Sequence, residues 1–268
     1  MKKLNRQFSI VAFAALFFSL LAAMPLAALA QKQNFYQLKV YHLKDKEQEA
    51  RLDQYIQQAY MPALHRAGIS KVGVYKPIPG EGSNPTDEQL VYVFIPFTSA
   101  DQFFGLDQKL EKDKQYAAAG QDYINATPAT APYARIESIL MQAFTGMPSY
   151  KAPGLKSSPA ERVYELRSYE AATEKLHQNK VDMFNNGEIK IFDKLGFNAV
   201  FYAKVLAGGK QPNLMYMTSF ENKAERDAKW KAFGDDPDWK KLSGMSEYAN
   251  NFLRADIYLL HPAPYSEI

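Results

Sequence analysis

Apolar and polar positions alternate through "RVYELRSY" (residues 162–169), the pattern of a strand with two different faces. The period lengthens from Thr173 to Leu195: Leu176, Lys180, Met183, Phe184, Ile191 and Leu195 fall near one helix face, and Gly196 is placed to stop the helix. Two β-rich runs follow, Ala199 to Leu206 and Asn213 to Phe220, joined by the hairpin-favouring turn "GGKQPN". Lys223 to Phe233 returns to helical spacing. Asp236 then offers an N-cap with Pro237 at the first helical position, which restarts a helix. Asp256 to Leu260 closes the series as a strand.

The same order occurs earlier in the chain. At an offset of 128 residues, "FYQLKVY" (35–41) lies over "VYELRSY" (163–169), and "LHRAGI" (64–69) over "FDKLGF" (192–197), so Gly68 meets Gly196. Further on, "LVYVFIPF" (90–97) resembles "NLMYMTSF" (213–220), and "ARIESILM" (134–141) resembles "LRADIYLL" (253–260). Four landmarks in one order identify an internal repeat.

Each copy reads as βαββαβ, the ferredoxin-like order. Such a sheet carries helices on one face only, and its bare face needs cover. The predicted fold is therefore α+β: two tandem ferredoxin-like repeats forming an intrachain dimeric α/β barrel. The expected boundaries are an N-terminal repeat over 31–145, a Pro-, Gly- and Ser-rich linker over 146–161, and a C-terminal repeat over 162–268.

Residues 1–30 stand outside this scheme. Lys2, Lys3 and Arg6 precede an apolar run from Phe8 to Leu21, and Ala28-Leu29-Ala30 is a small-x-small cleavage site. This is the layout of a secretory signal peptide, with cleavage expected after Ala30 and a periplasmic or secreted product that keeps no membrane span. The chain has no cysteine, which excludes disulfides and lipid attachment at a cysteine. Of 32 basic residues, three lie in the cleaved segment, leaving 29 against 29 acidic ones. A net charge near zero leaves no basic surface for nucleic acid.

The second half resembles the NIPSNAP family of the dimeric α/β-barrel superfamily. The residues carrying the resemblance are "YELRSY" (164–169), "LGF" (195–197) and "AERDAKWKAFGDDPDW" (224–239). The first half is a more diverged copy: it lacks an equivalent of "DPDW" and has Gln37 and Lys39 where the second has Glu165 and Arg167. The resemblance implies an α/β barrel, and the family's activity is poorly defined. The superfamily contains haem-degrading and quinol-forming monooxygenases and muconolactone-type isomerases, so an enzyme is implied by analogy only.

The candidate chemistry is the pair Glu165 and Arg167. Alternation places Val163, Glu165, Arg167 and Tyr169 on one face, expected to look into the barrel or its mouth. Tyr164, Leu166 and Ser168 are then expected under the helices. An unpaired buried charge is expensive, so the pair should be joined to each other or to the Tyr169, Tyr202 or Tyr216 hydroxyls. Three uses fit: a structural ion pair, a ligand-binding pair for a small polar or carboxylate molecule, or acid–base catalysis. His261, just after the last strand, is within reach of the barrel mouth. The ligand-binding candidates are thus Glu165, Arg167, Tyr169, Tyr202, Tyr216 and His261. Arg226 is expected to pair within its own helix, and Trp230 and Trp239 to pack helix against sheet.

The four histidines have no metal-ligand spacing, and no nucleophile elbow, phosphate loop or dinucleotide fingerprint occurs, so neither metal nor cofactor is expected. The functional expectation is an exported protein binding a small ligand in or at the mouth of the barrel. The alternatives are a cofactor-independent monooxygenase or isomerase using the same pocket, and a protein-interaction module without a ligand. Pairing of the repeats within the chain makes a pseudo-dimer, and further oligomerisation stays open.

Overall fold

The computed structural model describes residues 32–83 and 88–268. The expected signal peptide lies outside them. Among the described residues, no helix is long and apolar enough to cross a membrane.

The strands are β1 (Phe35–Leu43), β2 (Gly73–Pro77), β3 (Gln89–Phe97), β4 (Arg135–Ala143), β5 (Val163–Glu170), β6 (Asn198–Ala207), β7 (Asn213–Phe220) and β8 (Arg254–Pro262). They close into one antiparallel barrel in the order β1-β3-β2-β8-β5-β7-β6-β4. Each repeat contributes a ferredoxin-like 4-1-3-2 sheet, and the two seams, β2–β8 and β4–β6, are equivalent under exchange of the repeats. The chain is an intrachain dimeric α/β barrel.

Register confirms the repeat residue by residue. Leu38 pairs with Phe94 and Ile139, and its counterpart Leu166 pairs with Met217 and Tyr258. The helices repeat as well. Helix α1 (residues 46–66) follows β1; α2 (Ala100–Phe104), α3 (Leu106–Lys112), α4 (Lys114–Ala119) and α5 (Gln121–Ile124) follow β3. In the second repeat α6 (residues 174–194) follows β5, and α7 (Lys223–Asp235) and α8 (Pro237–Ser243) follow β7. Asp45 and Thr173 cap α1 and α6, and Ser99 and Asn222 cap α2 and α7, each side chain accepting from a backbone N–H three residues on. Both long helices contain one π-turn, at Ile56–Tyr60 and Phe184–Glu188, again 128 residues apart. Gly68 (φ +92°) and Gly196 (φ +69°) end them in the left-handed conformation.

Three apolar clusters result. One lies under each repeat's helices, and the third fills the barrel from inside with Tyr36, Leu38, Phe94, Tyr164, Leu166, Phe201 and Met217. Leu155 and Tyr150 of the inter-repeat segment and the C-terminal Ile268 pack on that inner cluster, and the Tyr75 hydroxyl donates to the Ile268 carbonyl at 3.2 Å.

Candidate functional site

Tyr164, Leu166 and Ser168 belong with the barrel interior, while Glu165, Arg167 and Tyr169 lie under the helices. The alternation predicted which residues share a face, but the two faces are exchanged relative to the expectation. The reason is in α7. Arg226 and Trp230, four residues apart on that helix, both point at Glu165. The fully buried carboxylate accepts from Arg167 Nε and Arg226 Nε, both at 2.6 Å, and from Trp230 Nε1 at 2.7 Å. Strand β5 can place its charges beneath the helices because that helix neutralises them.

The network continues inward. Arg167 lies over the Trp230 ring, 3.6 Å from its centroid, and its Nη1 donates to the Tyr169 hydroxyl at 3.1 Å. Tyr169 and Tyr216 exchange a hydroxyl bond of 3.0 Å, and burial pushes the Tyr216 hydroxyl well above its ordinary pKa. Tyr202 packs beside Tyr216, but its hydroxyl has no partner among the described residues. Arg226 crosses to the sheet rather than pairing only within its helix, although its Nη1 also donates to the neighbouring Asp227 at 2.8 Å. Next to this network Lys180 and Glu188 form a second buried pair at 2.9 Å. Of the six sequence candidates, four therefore share one hydrogen-bonded chain and Tyr202 borders it. His261 stands apart at the β2–β8 seam, its Nδ1 donating to the Arg162 carbonyl at 2.8 Å.

The open space lies elsewhere. At the end of the barrel formed by the β1 C-terminus and the β7 N-terminus is a cavity of about 390 Å³. Its walls are Leu38, Val40, Leu90, Tyr92, Ile139, Leu166, Met215 and Tyr258, with Ser168 and Asn213 the polar groups among them. Charged residues stand at its rim. His42 bridges Glu137 (Nε2, 2.9 Å) and Glu88 (Nδ1, 3.1 Å), and Lys210 Nζ meets Asp256 at 2.7 Å and the Tyr258 hydroxyl at 3.2 Å. Burial, reinforced by Tyr258, Glu137 and Glu88, pushes the Tyr92 hydroxyl above its ordinary pKa and keeps it a neutral donor. Burial pulls the Lys210 ammonium down, but Asp256 and Tyr258 more than restore it, so it stays charged. Among the described residues no three His, Asp or Glu side chains are placed to hold a metal ion.

None of the six sequence candidates lines this cavity. The signal that finds its polar residues was present in the repeat. Ser168 and Asn213 occupy the positions of Val40 and Leu90, so they are polar in one copy and apolar in the other.

Residues 164–267 match the NIPSNAP family model. No curated protein matches the sequence. A monooxygenase-like protein of Fusobacterium nucleatum has a similar structure, with a TM-score of 0.54 at 5% identity over 87% of this chain and 93% of that one. Another, of Lactobacillus acidophilus, has a TM-score of 0.52 at 9% identity, covering 86% and 94%. A NIPSNAP family protein of Agrobacterium tumefaciens covers 44% of this chain and 97% of its own, at 17% identity and a TM-score of 0.36. At such identities the full-length likeness is one of fold.

Proposed function

We propose, from the NIPSNAP domain at 164–267 and the barrel around it, that this protein is an exported binding protein holding a small, largely apolar molecule in the barrel mouth. The observation that carries the reading is the contrast between the two ends of the lumen. One end is packed with aromatic rings and plugged by Ile268, while the other keeps about 390 Å³ of space behind apolar walls and a charged rim. That volume falls at the lower end of the range for small-molecule sites.

Glu165 does not favour a catalytic reading. It is a carboxylate already engaged by two guanidinium groups and an indole, outside the cavity, and a general base must reach its proton.

Native mass spectrometry of the protein purified from its exported fraction tests the proposal. A co-purifying small molecule is expected, together with an N-terminus at Gln31. Leu166→Trp, which fills the cavity, is expected to lose the adduct. An adduct kept by that variant would place the ligand elsewhere, and a chain retaining residues 1–30 would refute the export.

A further inference from the structure

The wall of the mouth cavity contains an unmet hydrogen-bonding demand. Asn213 is 1% exposed and Ser168 is 4% exposed, and both line the cavity. Asn213 Nδ2 donates to Ser168 Oγ at 2.7 Å, while Asn213 Oδ1 is buried with no partner among the described residues. A buried polar atom without a partner is costly, and one in a cavity wall points to something that completes it.

The two side chains together offer a defined pattern. With Nδ2 bonded to Ser168 Oγ, the serine hydroxyl proton remains free to donate and Asn213 Oδ1 remains free to accept. Turning the amide over exchanges the roles: the serine would then donate to Oδ1, leaving an amide N–H to donate and the serine oxygen to accept. In both arrangements one donor and one acceptor stand side by side.

Their surroundings decide the charge of the group they can take. Leu166 and Met215 flank the pair on the same strands, and Leu38, Val40 and Leu90 form the rest of the cavity's apolar wall. Asp256, opposite Ser168 on β8, is held by Lys210, and His42 is held by Glu137, so these charges near the pair already occupy one another. An ammonium or carboxylate brought to the pair would lose hydration without a free opposite charge to replace it.

Resting on the binding reading above, we infer that the Ser168–Asn213 pair anchors a ligand through a neutral group that both donates and accepts, an amide or a hydroxyl, with its apolar body against the Val40–Leu90 wall. The repeat explains the polarity of the site. The pseudo-twofold axis places Val40 and Leu90 where the second copy has Ser168 and Asn213, so the ligand meets one polar and one apolar wall and enters in one orientation.

The test uses three probes of one shape: 2-naphthamide, 2-methylnaphthalene and 2-naphthoate, measured by equilibrium dialysis against the full mature chain at neutral pH. The amide is expected to bind about ten-fold more tightly than the hydrocarbon, with the carboxylate weakest. Asn213→Leu is expected to bring the amide to the hydrocarbon's affinity without weakening the hydrocarbon. Equal affinities for amide and hydrocarbon, a preference for the carboxylate, or an amide preference unchanged in Asn213→Leu would each overturn the anchor while leaving the cavity a binding site. If no probe binds, or if Leu166→Trp binds all three as well as the parent does, the binding reading itself falls and the anchor with it. Should Asn213→Leu fail to fold, Ser168→Ala serves in its place. It removes one member of the pair and must reduce the amide preference for the anchor to stand.

Discussion

Glu165 on β5 and Arg226 on α7, sixty-one residues apart in the chain, meet at 2.6 Å with the carboxylate wholly buried. Arg167 and Trp230 complete its coordination, so one acid ties strand β5 to helix α7. Glu165→Gln leaves two guanidinium groups facing a neutral amide. Breaking a buried pair from one side costs about 3–5 kcal/mol, and the midpoint of thermal unfolding should fall by roughly 10 °C. Replacing Glu165, Arg167 and Arg226 together by Leu, Leu and Met should cost clearly less than Glu165→Gln alone, since no unpaired charge remains. A triple variant less stable than the single one would show that the network adds net stability.

Lys39 occupies the position of Arg167 in the first repeat, where no acid corresponds to Glu165. Its amine rests over the Tyr60 ring, 4.8 Å from the centroid. Burial lowers its pKa, with Tyr116, Asp107 and Tyr133 opposing in part. A lysine whose folded pKa lies below the unfolded 10.5 penalises folding while it is charged, and the penalty fades as pH rises toward 10.5. Lys39→Met should therefore raise the melting temperature near pH 7, and the gain should shrink by pH 10. Melting curves at the two pH values check it, and a gain that grows with pH contradicts the assignment.

Glu221, beside the inter-repeat segment, shows the opposite sign. Its carboxylate accepts from Ser157 N at 2.7 Å and from Lys156 N at 3.0 Å. Those backbone N–H groups, Ser157 first, hold its pKa down to about 2. The stabilisation is complete above the ordinary value of 4.5 and is lost as pH falls toward 2. The melting-temperature advantage over Glu221→Gln should therefore be present at pH 6 and vanish near pH 2. A difference that is constant with pH would refute the contact's role.

Gly68 and Gly196 test the repeat. Both end a helix at positive φ, where an added Cβ costs about 1 kcal/mol. Gly68→Ala and Gly196→Ala should each lower the melting temperature by about 3 °C, and the double variant by the sum. One position tolerating alanine freely would mean that the two helix ends are not equivalent.

Element order, the repeat offset, the helix stop at Gly196 and the hairpin at 208–213 are legible in the sequence because each is a pattern along the chain. Asp236 and Pro237 start α8 as their order implies, and Gly196 ends α6 at positive φ. Site residues were less legible. Glu165, Arg167, Tyr169 and Tyr216 do join, but around Arg226 and Trp230 of a distant helix and outside the cavity. Ser168 and Asn213 carried the same asymmetry between the repeats as the Glu–Arg pair did. Alternation alone does not mark them, because it does not say whether their face meets helices or the lumen.

The sequence by itself determined that there are two βαββαβ copies, how they align, and that Glu165 and Arg167 share a face opposite Tyr164, Leu166 and Ser168. Only the tertiary structure decided which face is the lumen. Alternation has a period of two and no sign, so it separates the faces of a strand without saying what covers either. What covers Glu165 is a pair of N–H donors carried by α7, which makes the charged face the one that can be buried beneath helices. The face left to the lumen is apolar up to the open end of the barrel, where Ser168 and Asn213 meet beside a charged rim.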